Sequence, residues 1–438
     1  MIEPIKPALV VIGLGLWLFH PSRPMAPPPC DPTNGDITLP TGFCAVVFAD
    51  TVGVARHIAI ARNGDVYVNL ENAERTSAGT SPLRGARGAG GLLALRDTTG
   101  DGRADVVVRL PHPGGTGIAL TDRYAYVSIE IAVLRYTIVP GRLGPAGGEP
   151  DTIVSGFPGE GHRSRSLALD DSGGLFVNVG SYSNTCRRGS REPRGEDPCS
   201  ELPVRAGIWR YDASRVGQHH PADGIRWATG VRNAVGLAWN REVHGLYAAT
   251  HGRDNLHQFW PALFTAEQNA EKPSEEFLRV ERGQDYGWPY CYHDPETGRK
   301  VLAPEYGGDG RETGRCAGKA LPLKGFPAHW GPNGLSFYTG AQFPARYRGG
   351  AFIAFHGSWN RMPLPEAGYK VVFVPFRGDM PTGAYETFAD GFNGGIYEPV
   401  QAIHRPMGLA QGPDGALFIT DDQRGRIWKV MYVGGGHR

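Results

Sequence analysis

One pattern recurs along most of this chain: a short apolar alternation, a turn that usually contains glycine, then a second alternation. It is read in "HIAIARNGDVYVNLEN" from His57, "GIALTDRYAYVSIE" from Gly117 and "SLALDDSGGLFVNVGS" from Ser166. It continues in "GLAWNREVHGLYAATHG" from Gly236, "LSFYTGAQFPARYRGGAFIAFHGSW" from Leu335 and "GLAQGPDGALFITDDQRGRIWKV" from Gly408, which makes six copies. Alternation on both sides of a turn marks a β-hairpin. A hairpin, even with a third strand such as "RGRIWKV", cannot cover both its own faces, so each unit has to stack on copies of itself. Six units, spaced by roughly fifty to a hundred residues, predict an all-β chain folded as a six-bladed β-propeller with long loops between strands. The strand "FCAVVFAD" near the N-terminus is expected to complete the last blade. A pair of β-sandwiches lacks such a motif, and β-helix repeats are much shorter. Helix is expected to be scarce, with "PSEEFLRVERG" from Pro273 forming at most a turn or two.

Composition narrows the function classes. Lysine plus arginine (45) balances aspartate plus glutamate (44), so there is no basic field to hold nucleic acid and no acidic tail. Glycine (63) and proline (36) are abundant without a G-X-Y period, while 40% of residues are hydrophobic, which describes a turn-rich packed protein. The first segment differs. Residues 1–26 carry Lys6, an apolar run from Pro7 to Phe19 and Met25-Ala26 in a proline-rich stretch, which reads as an export signal or an uncleaved N-terminal anchor. Residues 27–40 then read as a proline-rich linker and 41–432 as the propeller. No later segment is apolar for long enough to span a bilayer, so membrane contact is expected only through that N-terminal segment. The cysteines fall as close pairs, Cys30/Cys44, Cys186/Cys199 and Cys291/Cys316, which suits local disulfides and a periplasmic or secreted location. There is no C-x-x-C-H for a covalent haem and no zinc-site spacing.

In a propeller, polar residues at hairpin entries converge around the central channel although they are distant in sequence. His162 stands just before the strand of the third repeat, flanked by Arg163 and Arg165. Arg232 and Asn233 ("GVRNAVGLAW"), Arg405 ("HRPMGLA") and the glycines Gly114 and Gly115 ("GGTGIAL") precede theirs. A ring with one histidine, two arginines and an asparagine offers a general base and fixed cationic donors for an anionic cofactor or a developing oxyanion. "DTTGDGRAD" from Asp97 resembles a calcium loop but lacks the acid at its twelfth position, where Val108 stands, so it reads as a hairpin turn. "EKPSEEFLRVERGQDYGWPYC" from Glu271 has the composition of an oxygen-donor cation site.

Taken in order, "GHRSRSLALD", "GVRNAVGLAW", "PSEEFLRVERGQDYGWPYC", "FHGSWNR" and "RPMGLAQGPDGALFITDD" resemble the glucose/sorbosone dehydrogenase family, soluble quinoproteins that use pyrroloquinoline quinone, over about residues 40 to 432. "YGWPYC", "LAPEYGGDG" and "HGSWNR" look closest to its sorbosone-dehydrogenase-like bacterial branch. The resemblance implies a six-bladed propeller with the quinone on its top face, a bridging calcium ion, and a histidine that takes the proton of the substrate hydroxyl as hydride moves to the quinone. His162 matches that histidine, Arg232 and Asn233 the pair facing the cofactor, and Arg405 a cofactor-contacting arginine. The calcium turn matches Pro273, Ser274, Glu275 and Glu276, with backbone carbonyls as ligands. Arginines suit a cofactor with three carboxylates, a divalent ion beside a quinone carbonyl acts as a Lewis acid, and a histidine titrating near neutrality suits the base. The chain departs from the pattern where glucose-specific members carry a lysine, in the strand reading "FIAFHGSWNR" here, and at Met407, which replaces one of two arginines. His356, Asn360 and Arg361 are the candidates to compensate as cofactor contacts.

The leading expectation is an exported quinoprotein that oxidises an aldose, a sorbosone-like aldehyde or a polyol and passes electrons to an external acceptor, whether a quinone, a cytochrome or a dye. Two other classes compete: a redox-inactive binding propeller and a calcium-dependent propeller hydrolase acting on a lactone or ester. A base inside a cationic ring favours the first, because a binding surface has no use for one.

Overall fold

The computed structural model describes residues 28–73, 88–187, 189, 193–398 and 401–434; the N-terminal export signal or anchor lies outside them. Six sheets follow one another along the chain as blades, each with an antiparallel core of four strands; short parallel edge strands, Gln218–His219 and Gln284–Asp285, extend the second and third. Blade 1 is Val54–Ile60, Val66–Glu71, Gly91–Arg96 and Val106–Pro111; blade 2 is Ile118–Leu120, Tyr124–Ser128, Ala132–Thr137 and Asp151–Ser155. Blade 3 is Leu167–Leu169, Gly174–Val179, Gly207–Asp212 and Ile225–Thr229; blade 4 is Gly236–Asn240, Gly245–Thr250, Glu275–Val280 and Lys324–Phe326. Blade 5 is Pro332–Phe337, Ala351–Phe355, Lys370–Val374 and Glu386–Ala389. Blade 6 is Pro406–Gln411, Leu417–Asp421 and Ile427–Tyr432, completed by Phe43–Ala49, which pairs antiparallel with Ile427–Tyr432 and closes the ring with the N-terminal strand.

Packing explains why the second strand of each repeat reads as nearly unbroken apolar sequence. Those strands lie inside a blade that is itself sandwiched between two others, so "GLFVNV", "GLYAAT" and "AFIAF" are buried on both faces. The outer strand of blade 1, "VVVRLP", is largely exposed. Neighbouring blades share apolar clusters. Tyr67 and Leu92 of blade 1 meet Ile118 and Val127 of blade 2, and the closure is made by Phe48 and Phe418 of blade 6 against Val66 and Leu93 of blade 1. Removing a side chain such as Leu93 by substitution with alanine is expected to cost about 2–5 kcal/mol.

Two insertions stand outside this ring. Cys186–Cys199 closes one in blade 3 and Cys291–Cys316 closes the other in blade 4, and the two pack together through Trp288, Tyr290 and Leu302. Cys30–Cys44 ties the N-terminal segment to the outer strand of blade 6, so all three pairs are as the spacing suggested. Residues 31–38, read as linker, are held on the propeller: Ile37 is buried, Thr38 bridges to Asp390, and the Asp31 carboxylate accepts from Val47 N at 2.7 Å. The expected turn of helix at "PSEEFLRVERG" is corrected to strand, because Glu275–Val280 pairs with both Gly245–Thr250 and Lys324–Phe326. Helix occurs just upstream instead, at Leu256–Phe259 and Ala266–Glu271, the latter opened by a Thr265/Gln268 capping box. The "DTTGDGRAD" segment is a hairpin turn, with the Asp97 carboxylate accepting from Gly100 N and Gly102 N at 2.7 and 2.8 Å. No helix among the described residues is long and apolar enough to cross a membrane.

Candidate active site

In each blade the first strand starts and the second strand ends on the same face, because the two are antiparallel neighbours. Residues from both positions border one cavity of about 490 Å³, within the roughly 300–1,000 Å³ typical of small-molecule sites. Strand entries supply His162, Arg232, Asn233 and Arg405; strand exits supply Glu71, His251, His356 and Asp422. Gly114 and Gly115 serve the backbone instead. A Cβ on Gly115 would run into Ser128 O, and one on Gly114 would stand 2.7 Å from Asn72 N, so they allow blades 1 and 2 to close up.

His162 is fixed by its loop. Gly161 turns the chain at φ 75°, the fully buried Arg165 donates to the carbonyls of His162 and Pro158, and a Cβ on Gly180 would come within 2.6 Å of the His162 Cβ. Imidazole Nδ1 lies 2.8 Å from Ser181 O. A carbonyl can only accept, so Nδ1 carries the proton and Nε2 holds a lone pair with no partner among the described residues. Burial first, and the Arg232 charge second, push this histidine down to about 3. The expectation of a histidine titrating near neutrality is therefore corrected: desolvation keeps it a neutral base across the physiological range.

Two clusters of charge flank the cavity. In the first, Asp254 accepts from Arg232 Nη2 at 2.9 Å and from Asn360 Nδ2 at 2.7 Å, with His329 Nδ1 at 3.4 Å. Burial opposes ionisation of Asp254, but the Arg232 charge and His329 outweigh it and hold the carboxyl well below the usual range. In the second, Asp422 accepts from Arg56 Nη1 at 2.5 Å and from His356 Nε2 at 2.7 Å, and it too is held well below the usual range against burial, by His356 and Arg56. Arg405 donates from Nε to His356 O and from Nη2 to Gly357 O, which leaves Nη1 without a partner among the described residues. His251 donates from Nε2 to Asn333 Oδ1 at 2.8 Å, and burial with the Arg232 charge lowers it to about 4.

The residues expected to hold a cation separate. Glu275 borders the cavity, accepting from Gly252 N at 2.8 Å and Gly331 N at 3.3 Å, and burial pushes it up to about 7. Glu276 is instead paired with Lys300 at 2.6 Å, and Pro273 and Glu276 line a smaller adjoining cavity of about 30 Å³. Ser274 Oγ is hydrogen-bonded to His293 at 3.0 Å. Arg361 does not reach the cavity: its guanidinium is spent on the carbonyls of Ala270 and Ala328, 2.8 and 3.0 Å away. Met407 is wholly buried in blade 6. No cluster of three or more His, Cys, Asp or Glu among the described residues is set to hold a metal, so a cation beside Glu275 would draw on backbone carbonyls as well.

Reasoning from strand entries alone misses Arg56, Asp254, His251, His329 and Asp422. His251, His356 and Asp422 each stand directly after the second strand of their repeat, in "YAATH", "FIAFH" and "FITDD". Aligning the repeats at strand exits would have found them.

A model of the TrAA12-like family matches residues 37–433. The chain belongs to the TrAA12-like family. This TrAA12-like propeller is 24% identical over 329 residues to the pyrroloquinoline quinone-dependent pyranose dehydrogenase of Coprinopsis cinerea, a match covering 65% of this chain and 41% of that protein. It is 30% identical over 209 residues to an uncharacterized protein of Borreliella burgdorferi, covering 47% of this chain and 48% of that one. The chain thus spans less than half the length of these curated relatives. Among solved structures it resembles the holo form of the C. cinerea pyranose dehydrogenase PQQ domain, with a TM-score of 0.71 at 19% identity over 93% of this chain and 99% of that one. The calcium structure of the Trichoderma reesei carbohydrate-active enzyme of family AA12 gives 0.69 at 20% identity, covering 91% and 97%. The PQQ-bound aldose sugar dehydrogenase of Streptomyces coelicolor gives 0.54 at 17% identity, covering 90% and 99%. The shared propeller fits the resemblance to glucose/sorbosone dehydrogenases read from the motifs.

Proposed function

We propose that this chain is an exported quinoprotein that oxidises a sugar at a hydroxyl-bearing carbon, with pyrroloquinoline quinone as hydride acceptor and calcium as its partner ion. The observation that carries the reading is His162, a neutral imidazole with Nδ1 fixed on Ser181 O and Nε2 unpartnered, beside a cavity bordered by arginines. The names of the relatives support the same chemistry, and the three disulfides suit a periplasmic or secreted protein.

The residues fit an anionic, planar cofactor. Arg405 Nη1 and the buried Arg232 Nε have no hydrogen-bond partner among the described residues, and both residues border the cavity. Permanently charged guanidinium groups match carboxylates, so Arg405, Arg232 and Arg56 would bind them, with Asn233 alongside. Glu275, with the Pro273 and Ser274 carbonyls, would hold the divalent ion. When bound, the quinone with its cation supplies a two-electron hydride acceptor. His162 Nε2 takes the hydroxyl proton as the carbon gives up hydride and becomes a carbonyl. Ser181 O holds the ring in the tautomer that can accept that proton. An external electron acceptor is then needed to complete the cycle.

The test is reconstitution. The purified chain, stripped of metal, is titrated with pyrroloquinoline quinone with and without calcium, then assayed for dye reduction against a panel of aldoses and polyols. Calcium-dependent quinone binding with sugar-dependent dye reduction is the expected result. Failure of the quinone to bind at micromolar concentration in the presence of calcium would overturn the reading.

A further inference from the structure

The base serves a proton and the arginines serve an anion; a sugar ring needs a surface of its own. Trp359 borders the cavity yet is 40% exposed, and it makes no hydrogen bond or ring contact with any described residue. Its backbone is nonetheless held firmly. Ser358 N donates to Ala367 O at 2.9 Å, Ser358 Oγ accepts from Ala367 N at 2.8 Å, and Ser358 O accepts from Tyr369 Oη at 2.7 Å. Gly357, at φ 91°, lies so close over Tyr369 that a Cβ there would enter the ring. A large, partly exposed indole is thus presented at the cavity on a pinned turn.

Asn360 adds direction. Its Nδ2 donates to Asp254 Oδ1 at 2.7 Å, and Asp254 is kept ionised, so the carboxylate can only accept and the amide cannot be turned round. The amide oxygen of Asn360 is buried in the wall of the cavity and has no hydrogen-bond partner among the described residues. An unpaired acceptor is repelled by a carboxylate and satisfied by a hydroxyl donor, which makes it unsuited to the acidic cofactor and suited to a polyol. An apolar aromatic face next to a lone acceptor complements a pyranose, which has a C–H face and donor hydroxyls at its edge.

We propose that Trp359 and Asn360 form the sugar subsite, the indole stacking on the pyranose ring and the Asn360 amide oxygen accepting from a ring hydroxyl. This rests on the reading of sugar oxidation. It gives the "HGSWNR" segment a substrate role in place of the cofactor role expected for Asn360.

The experiment compares Trp359→Ala and Trp359→Phe with the wild-type chain. Three quantities are read: quinone affinity of the apoprotein, KM and kcat for an oxidised aldose, and saturation-transfer NMR with a methyl glycoside, which lacks a free anomeric hydroxyl. Trp359→Ala should raise KM by about tenfold or more with kcat within about threefold, leave quinone affinity within about twofold, and lose the glycoside signal, while Trp359→Phe stays within about threefold of wild type. An unchanged KM in Trp359→Ala, or a matching loss of quinone affinity, would overturn the subsite. If the wild-type chain takes up no quinone, the oxidation reading falls by itself; a glycoside signal present in wild type and absent in Trp359→Ala still supports the subsite, and equal signals or none in both overturn it.

Discussion

Asp254 and Asp422 hold the same chemical position in different walls of the cavity. Each is a carboxylate set between an arginine and a histidine, Asp422 buried and Asp254 partly so, and each is held well below its usual range. The histidines nevertheless behave oppositely. Burial would lower His329, but Asp254 and the Asn269 carbonyl raise it, whereas His356 is lowered by burial and by Arg405 despite its contact with Asp422. The surroundings decide: the Asp254 cluster carries a second carboxylate, Glu275, and the Asp422 cluster a second arginine, Arg405. The first wall adds a carboxyl that burial holds partly neutral and that a cation would draw into its ionised form, the other has spare positive charge for an anion, and the base is hydrogen-bonded to neither cluster.

The largest expected effect separates the base from both walls. His162→Gln should lower kcat and kcat/KM together by roughly 10²–10⁴-fold while quinone affinity and folding persist, because proton abstraction is made only in the transition state. Turnover at the wild-type rate with saturating quinone, calcium and acceptor would make this histidine structural.

Next come the walls themselves. Arg405→Met should weaken quinone binding to the apoprotein by about 10–100-fold, the scale of a charged hydrogen bond, and the loss should shrink in high salt. Glu275→Gln should instead raise the calcium needed for loading, with quinone affinity at saturating calcium changed by less than about threefold. The reverse pattern in a titration of the two variants would exchange the roles assigned to the walls.

Stability against pH sharpens the contrast between the histidines. His356 is lowered in the folded state, so its contribution is present above the unfolded pKa and lost as pH falls; His57, His112, His162, His220 and His251, lowered to about 4 or 3, act in the same sense. His329 is raised, so its contribution is present below the unfolded pKa and lost as pH rises through the folded value. The unfolding free energy of the apoprotein should therefore fall as pH drops below about 6.5, the ordinary histidine value, by about 1.4 kcal/mol per pH unit for each group that resists protonation, and thermal midpoints should fall with it. His356→Gln should flatten that fall and His329→Gln steepen it; shifts in the same direction would contradict the assigned charges. The smallest effect is in catalysis. With His162 pushed down to about 3 and calcium saturating, so that titration of Glu275 near 7 does not limit loading, kcat/KM should change by less than about twofold between pH 8 and pH 6, and a limb near 6.5 that persists at saturating calcium would show an imidazole exposed to water.

Much of this was legible in the chain. Period-two alternation repeated around turns specifies hairpins that must stack, and close cysteine spacing is enough to pair all three disulfides. His162, Arg232, Asn233 and Arg405 were found because repeat-equivalent strand entries share a face. Adjacency in sequence misled at two places. Glu275 and Glu276 are neighbours in a strand, so they point to opposite faces and only one reaches the cavity. Arg361 follows Asn360 in the chain, yet it turns to the carbonyls of Ala270 and Ala328. The depressed histidine was not legible either, because burial belongs to the assembled ring and not to any local pattern.

Anaerobic stopped-flow spectroscopy of the chain loaded with pyrroloquinoline quinone and calcium, mixed with a single aldose, tests the central claim most directly. One equivalent of sugar should reduce the bound quinone in a single phase, and His162→Gln should bind the quinone equally but be reduced roughly 10²–10⁴-fold more slowly. A bound quinone that no sugar reduces, or one reduced equally fast in His162→Gln, would contradict that claim.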